Sequence, residues 1–201
     1  MGSGIDTIYN GYKFRSRLEA RWAIFFDHAH IRYYYELEVF KLPSGKLYLP
    51  DFYLPDVYPR STTKEPGIWV EVRPAYEDYN YLRELYKMTG KTVALLVGEP
   101  RVVTEFHSPT DYYVEYEGYE YAEGWDCYMA FHKCRECGRI VYDHQNNNEC
   151  DYCLERGIKT CPDQFHPDLM RASEVARSWR FDVRKNNRQS SRRSQQLWRV
   201  R

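Results

Sequence analysis

Long apolar runs are missing from this sequence. No stretch approaches the roughly 18 consecutive apolar residues that a membrane-spanning helix needs, and the N-terminus lacks the basic-then-apolar pattern of a secretory leader. We therefore expect a cytoplasmic protein with no membrane partner. Internal repeats are missing too, which argues against fibres and repeat arrays. The 201 residues are enough for one core domain of ordinary size and a small additional module.

The chain also lacks a net charge, because 29 Lys and Arg residues balance 29 Asp and Glu residues. The balance hides a strong regional asymmetry. Residues 171–201 contain ten Lys or Arg against two Asp or Glu, a net charge of +8, so residues 1–170 carry −8. A neutral total therefore does not exclude a polyanionic partner for the basic end of the chain.

Composition changes at three points and divides the chain into four parts. Residues 5–110 carry amphipathic and alternating patterns. Residues 111–130 begin with an acidic, tyrosine-rich run whose alternation predicts a strand or hairpin with one solvated face. Residues 131–166 carry two closely spaced cysteine pairs. Residues 167–201 are an Arg/Gln/Ser-rich basic tail, for which a solvated helix or disorder is the alternative to contact with nucleic acid.

Patterns in the first part predict an α/β fold. Helical spacing of apolar residues predicts one helix, and a Pro-Ser-Gly turn joins two strand-like runs into a hairpin. A further strand, a helix capped by a glycine and an apolar strand buried on both faces follow. In chain order the elements are Arg15–His30, Arg32–Leu42, Lys46–Leu54, Ile68–Arg73, Tyr79–Thr89 and Thr92–Val97. This order is typical of a mixed sheet flanked by helices.

Two acidic residues stand on neighbouring predicted strands. Side chains alternate along a strand, so Glu71 and Arg73 share one face of Ile68–Arg73 while the aliphatic residues share the other. Asp51 lies in an otherwise apolar row directly after Pro50, which cannot donate to a ladder and places that strand at an edge or a bulge. If the strands pair, the carboxylates approach, and at about 4 Å they repel by roughly 4 kcal/mol at an effective dielectric constant near 20.

A shared proton, an arginine or a divalent cation would each offset this repulsion, and carboxylate oxygens suit Mg²⁺ or Mn²⁺. The alternative is structural: Glu71 pairs with Arg73, and Asp51 occupies a turn. Glu19 is a third candidate because it borders the buried stripe of the predicted helix. It also completes the capping-box pattern Ser16-x-x-Glu19, in which the glutamate has no further task. Both interpretations of Glu19 are open on the sequence.

Three blocks of sequence resemble the PD-(D/E)XK nuclease-like proteins that are common in phages and prophages. The blocks are Phe14–Ala23 (FRSRLEARWA), Tyr48–Pro55 (YLPDFYLP) and Trp69–Pro74 (WVEVRP), in the order and spacing of that family. The resemblance covers about half of the chain. It implies a restriction-endonuclease-like mixed sheet and a metal-dependent DNA endonuclease in the cytoplasm of a bacterial host. Many such enzymes act as dimers that cut both strands, so a homodimer is one option.

The resemblance also implies roles for individual residues. Asp51 and Glu71 match the ligands of Mg²⁺ or Mn²⁺, and the carbonyl oxygen of Val72 matches a third ligand. Glu19 matches the acid that many members contribute from their first helix. The bound cation would activate water and offset charge on the phosphate.

Arg73 stands where the family has its catalytic lysine. A guanidinium stays protonated in proteins, so Arg73 is not a general base, although it would stabilise charge on the phosphate. A lysine of the following helix, such as Lys87, is another candidate for the missing group. The replacement also leaves a second function open, a non-cleaving nuclease-like protein that binds DNA or serves as an adaptor.

Four cysteines have the spacing of a zinc site. Cys134 and Cys137 form one Cys-x-x-Cys pair, Cys150 and Cys153 form another, and twelve residues separate the two pairs. Two such turns supply four thiolates to one tetrahedral Zn²⁺. The alternatives are disulfides, which are rare in the cytoplasm, or buried thiols, which the polar neighbours disfavour. We predict a zinc ribbon over residues 131–166 and a structural ion, because four cysteines leave no coordination position for water.

Two flanking pairs suggest a weaker alternative. Cys127-x4-His132 and Cys161-x4-His166 lie symmetrically about the ribbon and would form a second metal site. The spacing is unusual, and both histidines have ordinary surface roles open to them. A Cys-His catalytic pair made from the same residues has no orienting partner in the sequence.

The basic tail is the predicted contact with nucleic acid. Arginine side chains match phosphates as bidentate donors, and Trp179 and Trp198 supply rings that stack on bases. The predicted contact residues are Arg177, Arg180, Arg184, Lys185, Arg188, Arg192 and Arg193. The sequence as a whole thus predicts a DNA-cutting α/β domain with a zinc ribbon and a basic extension.

Overall fold

The computed structural model describes residues 7–59, 65–75, 80–101, 129–144, 150–160 and 162–181. A small hairpin is the first element of this part of the chain. Its strands, β1 (Thr7–Tyr9) and β2 (Tyr12–Phe14), pair antiparallel. Asn10 and Gly11 join them with φ angles of 46° and 84°. Asn-Gly tolerates positive φ at both positions, which a tight turn between twisted strands requires. The hairpin leads the chain directly into the first helix.

Helix α1 (Arg17–Ala29) lies at the centre of the fold. Ser16 caps its start by accepting a hydrogen bond from the amide of Glu19, and His30 ends it in the left-handed conformation. The predicted helix is therefore confirmed with boundaries a residue or two shorter. Its buried surface is wider than a single stripe and includes Glu19, Ala20, Trp22, Ala23, Ile24, Phe25, Phe26 and Ala29.

The predicted hairpin after α1 forms in two separate pieces. Strand β3 (Tyr34–Tyr35) pairs with β6 (Phe52–Leu54), whereas β4 (Phe40–Lys41) pairs with β5 (Leu47–Tyr48). Glu36, with φ of 48°, and Pro50 interrupt the ladder between them. The predicted interruption near Pro50 is thus present, but β6 is not an edge strand, because it lies between β3 and the next strand of the sheet.

That next strand is β7 (Ile68–Arg73), and it completes a mixed sheet with the elements that follow. Helix α2 (Asn80–Thr89) ends at Gly90, and strand β8 (Val93–Val97) is buried throughout. The strand order is β3-β6-β7-β8, with β6 antiparallel and β8 parallel to β7. The predicted α/β class and these three elements are confirmed.

The two faces of β7 belong to two separate cores. Ile68, Val70 and Val72 join the large cluster built around α1, as the alternation predicts. Trp69, on the opposite face, joins a second cluster that includes Leu82 and Leu85 of α2. The sequence analysis treated only the first face as core. In the structure both faces are covered, so the acid on β7 is a buried residue.

The cysteine-rich region packs on the main core. Strands β9 (Met129–Cys134) and β10 (Ile140–His144) pair antiparallel, and the short helix α3 (Asp151–Leu154) and strand β11 (Pro162–Asp163) follow. Phe131 and Tyr142 belong to the same hydrophobic cluster as α1. Tyr58, a few residues after β6, exchanges backbone hydrogen bonds with β10. The ribbon is therefore continuous with the α/β core.

Helix α4 (Pro167–Ser178) packs against α1. Leu169, Ala172 and Ala176 are buried in the main core, and the Ser173 hydroxyl donates a hydrogen bond of 2.9 Å to the carbonyl of Pro100. The sequence analysis assigned residues 167–201 to a basic tail. The first third of that region is instead a core helix, because its small apolar residues form a stripe that fits closely on α1. Residues 182–201 and 111–128 lie outside the described ranges.

The described helices are short. The longest, α1, has 13 residues, and no helix in the described ranges combines the length and apolar character needed to cross a bilayer.

Candidate active site and metal centre

Asp51 directly precedes β6 and is completely buried. Its Oδ2 accepts a 2.7 Å hydrogen bond from the backbone amide of Val72, and its Oδ1 accepts a 2.6 Å bond from Nη2 of Arg15. The register pairs Phe52 with Val70, which places Asp51 beside Glu71 where the β6–β7 ladder ends. The predicted pairing of these two strands is confirmed, and it brings the two acids to one end of the sheet.

Glu71 is also completely buried, beneath two tyrosine rings. Its Oε2 accepts a 2.7 Å hydrogen bond from Tyr48 of β5, and its Oε1 accepts a 3.1 Å bond from Tyr81 of α2. The two rings contact each other edge to face with centroids 4.8 Å apart. A buried carboxylate needs such donors to replace its lost hydration. The tyrosines therefore orient Glu71 and separate it from bulk water.

Arg73 contacts all three of the groups that the sequence analysis proposed as ligands of a divalent cation. Its guanidinium forms an ion pair with Glu71 and lies 3.7 Å from Oδ2 of Asp51. Its Nη1 also donates a 2.9 Å hydrogen bond to the carbonyl of Val72. The three oxygens thus converge on one positive group, and the repulsion between the acids is offset by an arginine. This ion pair is also the arrangement that the structural alternative predicted for Glu71.

Ser16 caps the helix through the amide of Glu19, as the spacing predicts, but the Glu19 carboxylate binds the Ser16 hydroxyl and the Arg15 amide in place of the predicted Ser16 amide. Its Oε1 accepts a 2.8 Å hydrogen bond from the hydroxyl of Ser16, and its Oε2 accepts bonds from the Tyr35 hydroxyl at 2.7 Å and from the Arg15 amide at 3.1 Å. The side chain is 5% exposed. Arg15 links this helix start to the acid site, because its guanidinium also binds Asp51 and, at 2.7 Å, Glu36. Glu19 therefore lies in the same polar network as Asp51 and Glu71.

Burial dominates the ionisation of Asp51. It raises the pKa of this carboxyl to about 7, and the nearby charge of Glu19 adds to the rise. The amide of Val72 and the guanidinium groups of Arg73 and Arg15 act in the opposite direction without cancelling it. Near neutral pH, this buried carboxyl group is therefore stabilised by protonation or by a stronger positive charge beside it.

One cluster of potential metal ligands stands out within the described ranges. A group of three or more histidine, cysteine, aspartate or glutamate side chains with all ligand atoms within 4.8 Å of one another occurs there only at the four predicted cysteines, Cys134, Cys137, Cys150 and Cys153. The three acids Glu19, Asp51 and Glu71 do not form such a group. The predicted convergence of the two cysteine pairs is confirmed, and it creates a site that suits a metal such as zinc.

The distances between the sulfur atoms match tetrahedral coordination. Sγ of Cys134 lies 3.8 Å from Sγ of Cys153, and Sγ of Cys137 lies 3.7 Å from Sγ of Cys150. Four thiolates about 2.3 Å from a zinc ion define a tetrahedron with edges of about 3.8 Å, whereas a disulfide would bring two sulfurs to about 2.05 Å. The cluster therefore has the dimensions of a four-thiolate metal site and not those of two disulfides.

Backbone amides of the first turn favour the thiolate form of Cys134, whereas burial raises the pKa of Cys150 and Cys153. Burial by itself would raise the pKa of Cys134, but amide hydrogen bonds from Cys137 and Glu136 outweigh it and lower the pKa to about 7. Gly138 follows with a φ of 71° and donates its amide to the carbonyl of Cys134. A thiolate is the form that binds a metal, so these amides favour the ligand state.

The remaining predicted residues have other positions. His132 is buried with Nε2 3.2 Å from the Asp143 carbonyl, and His166 caps α4 through Nδ1, which accepts a hydrogen bond from the Asp168 amide. Their proposed partners, Cys127 and Cys161, lie outside the described residues, so a second metal site stays a prediction. Lys87 is exposed in the last turn of α2.

Some of the predicted nucleic-acid contacts lie within the described residues, and the others lie outside them. Arg177 and Arg180 are exposed at and just after the end of α4. Trp179 packs edge to face against Tyr9 with centroids 5.5 Å apart, so one of the predicted stacking rings contributes to the fold. The remaining tail contacts lie outside the described residues: Arg184, Lys185, Arg188, Arg192, Arg193 and Trp198.

Sequence reasoning missed the residues that surround the two acids. Arg15, Tyr48 and Tyr81 each bind a buried carboxylate oxygen. Arg15 and Tyr48 lie inside the sequence blocks that carry the resemblance, and Tyr48 is also only three residues from Asp51, so both had a usable signal. Tyr81 had none, because α2 reaches Glu71 only through tertiary packing.

No protein-family model matches the chain, and neither the curated proteins nor the solved structures provide a match.

Proposed function

We propose that this protein is a metal-dependent nuclease that hydrolyses phosphodiester bonds, with DNA as its substrate, as the resemblance to PD-(D/E)XK nuclease-like proteins implies. The observation that supports the proposal is the convergence of Asp51, Glu71 and the Val72 carbonyl on a single positive group, the guanidinium of Arg73. The same oxygens are the ones that the resemblance assigns to Mg²⁺ or Mn²⁺. A mixed sheet flanked by helices, with Glu71 on β7 and Asp51 directly before the neighbouring β6, also agrees with the proposal.

The chain's own residues would prepare the site in three ways. Tyr48 and Tyr81 fix the Glu71 carboxylate and exclude water from one side. The Val72 amide and Arg15 fix Asp51. When a divalent cation is bound by Asp51, Glu71 and the Val72 carbonyl, it supplies activation of water and charge neutralisation at the phosphate.

Arg73 would exchange partners during this process. Its side chain is one-third exposed, so it has a route from the carboxylates to the surface. A phosphate group there offers the bidentate acceptor geometry that a guanidinium prefers. Arg73 would then bind the substrate and vacate the position between the acids. The four-cysteine cluster would hold a structural Zn²⁺ that stabilises the ribbon beside this site.

The test is a cleavage assay on zinc-loaded protein with plasmid, linear duplex, single-stranded and branched DNA and with RNA. Each substrate is incubated with Mg²⁺, with Mn²⁺ and with neither. We expect cleavage that needs the added cation and is lost in Asp51→Asn and Glu71→Gln. Glu36→Gln is the matched control, since Glu36 also binds Arg15 but is not a proposed ligand. Unchanged cleavage in either acid variant would remove that residue from the catalytic role.

A second function is favoured by the same arginine. Arg73 already lies against both acids, and a permanent guanidinium there would make the site a binding surface for phosphate without cleavage. The protein would then be a nuclease-like DNA-binding or adaptor protein. DNA binding without cation-dependent cleavage supports this alternative, and so would a gain of cleavage in Arg73→Lys.

A further inference from the structure

A stack of alternating cations and aromatic rings joins the ribbon to the segment after β6, half-buried at Tyr58 and Arg139 and exposed at Tyr152 and Arg156. The guanidinium carbon of Arg139 lies 4.0 Å from the ring centre of Tyr58 and 4.4 Å from that of Tyr152. The guanidinium carbon of Arg156 lies 3.5 Å from the ring centre of Tyr152. We call these four residues the Arg-Tyr stack. Both guanidinium groups lie against one ring, so the two positive charges are close neighbours.

Each half of the cysteine cluster supplies part of the stack. Arg139 follows Cys137 by two residues, and its carbonyl accepts a 3.0 Å hydrogen bond from the amide of Cys134. Tyr152 lies between the cysteines of the second pair, on α3. A metal bound by all four thiolates would therefore fix Arg139 and Tyr152 relative to each other.

The two arginines of the stack carry charge that the rest of the described protein leaves unbalanced. Neither Arg139 nor Arg156 forms an ion pair with a carboxylate in the described ranges. The hydrogen bond of Arg156 goes to the carbonyl of Tyr152, at 2.8 Å. Arg135, on the same ribbon, is different, because it binds Asp163 at 2.5 Å. Among the residues that the structure describes, the stack thus offers guanidinium donors without a carboxylate partner.

We propose that the Arg-Tyr stack is a binding site for the phosphodiester backbone of a nucleic acid. A guanidinium matches a phosphate as a bidentate donor, and aromatic faces hold it in a planar, oriented position. An arginine ordered in this way loses little side-chain freedom when the anion binds. The proposal rests on the nucleic-acid partner of the proposed function, and it adds a contact that the basic tail does not supply.

The test measures binding of labelled oligonucleotides by fluorescence anisotropy. Zinc-loaded full-length protein is used without Mg²⁺ or Mn²⁺, so that no cation-dependent cleavage takes place. The probes are single-stranded DNA, duplex DNA and single-stranded RNA of about 30 nucleotides. This length exceeds the about 16 nucleotides that a large single-strand binding site covers. The variants are Arg139→Ala, Arg139→Lys, Arg156→Ala and the matched control Arg135→Ala. Zinc content and melting temperature establish that each variant is folded.

We expect Arg139→Ala and Arg156→Ala each to weaken binding about tenfold, as loss of a charge-assisted hydrogen bond does. The slope of log K against log salt should become shallower by about 0.9 for duplex DNA and about 0.7 for single strands. Arg139→Lys should recover the slope but only part of the affinity, because lysine keeps the charge and loses the planar fork. Arg135→Ala should stay within about twofold of wild type, since Asp163 already neutralises that side chain.

Three results would overturn the proposal: no binding of any probe by wild type, wild-type affinity and slope in Arg139→Ala, or an equal loss in Arg135→Ala. A different result would refute the proposed nuclease function alone. In that case cleavage is absent while binding still depends on Arg139. If cleavage is present and Arg139 has no influence on binding, the nuclease survives and the stack does not.

Discussion

Removal of the Arg73 guanidinium is the most direct perturbation of the candidate site. Arg73 is the positive group that Asp51, Glu71 and the Val72 carbonyl share. Arg73→Gln keeps most of the side-chain volume and removes the charge, while Arg73→Lys keeps the charge and removes the fork. In the glutamine variant the two completely buried carboxylates lose the cation that they share, and Arg15 remains as a charged partner of Asp51 alone. We expect that variant to be destabilised and to gain affinity for divalent cations.

The size of the effect follows from the geometry. At 3.7 Å and an effective dielectric constant near 20, the attraction between Arg73 and Asp51 is about 4 kcal/mol. Loss of one partner of a buried pair costs about 3–5 kcal/mol, and the one-third exposure of Arg73 reduces that to about 2–3 kcal/mol. For a chain of this size the loss corresponds to a decrease of about 5–10 °C in melting temperature.

Thermal denaturation with increasing Mg²⁺ or Mn²⁺ measures both consequences without any substrate. A ligand at about 100 times its dissociation constant stabilises the folded state by about 2.7 kcal/mol, so saturating cation should restore most of the loss in Arg73→Gln. Wild type should respond less, because the guanidinium competes with the cation for the same oxygens. Arg73→Lys should lie between the two.

The matched control is Arg32→Gln, which breaks an exposed ion pair with Asp56 elsewhere on the surface. If Arg73→Gln melts at the wild-type temperature, the two acids do not depend on the guanidinium. If divalent cations raise the melting temperature of Arg73→Gln no more than that of wild type or Arg32→Gln, the oxygens around Arg73 are not a cation site. The second result would also remove the main support for the nuclease proposal.

Three other predictions address the metal centre, the buried acid and the last helix. Metal analysis should give one zinc per chain, and Cys134→Ser or Cys150→Ser should lose the zinc and lower the melting temperature, whereas Cys127→Ser should keep it; full zinc retention in either ribbon variant would contradict the site. Burial raises the pKa of Asp51 to about 7, so the folded protein holds a proton that the unfolded chain releases near pH 4. Stability from this group is complete below about pH 4 and is lost as the pH rises through about 7, by on the order of 4 kcal/mol; in urea denaturation Asp51→Asn should flatten this part of the pH profile, and an unchanged profile would refute the shift. A chain that ends at Phe181 should still fold cooperatively in thermal denaturation, because it keeps α4 and the contact of Phe181 with Arg21. A chain that ends at His166 should be unfolded, and a folded product would show that α4 is dispensable.

Local patterns predicted the elements of the first part because each one had a strong signal of its own. The spacing in α1, the glycine after α2 and the apolar run of β8 all act within a few residues. The β1–β2 hairpin was missed although Asn10-Gly11 is a short-range signal for it. Its strands are only three residues long, too short for an alternation pattern to be recognised.

The α4 helix was misinterpreted because a regional property outweighed a local one. The positive charge of the C-terminal region suggested a solvated tail, yet Leu169, Ala172, Ser173 and Ala176 recur at helical spacing and are all buried. Small residues on one stripe let two helices approach closely. Ala20 and Ala23 of α1 belong to the same core as this stripe. Net charge describes the exposed side of such a helix and says little about the side that packs.

The acid site was predictable in position but not in its bonding. Alternation along the strand sets the face on which Glu71 lies, and pairing of two segments that follow each other in the chain then places Asp51 next to it. The choice among a proton, an arginine and a divalent cation depends on side chains from other elements. Arg15 reaches Asp51 from the segment before α1, and Tyr81 reaches Glu71 from α2. Such contacts are decided by the way the layers pack, which no local pattern contains.

The segment from Asp51 to Tyr58 connects the two candidate sites. It begins with the buried acid, continues through β6 at the centre of the sheet, and ends with Tyr58, which bonds to β10 and stacks on Arg139. A metal bound at the cysteines would fix the ribbon side of this segment, and β7 pairs with its other side. Loss of the ribbon metal should therefore weaken the packing of Tyr58 first. Because Asp51 is only seven residues away along the same segment, the position of Asp51 should be affected next. A structural zinc in this protein would thus stabilise the acid site as well as the ribbon.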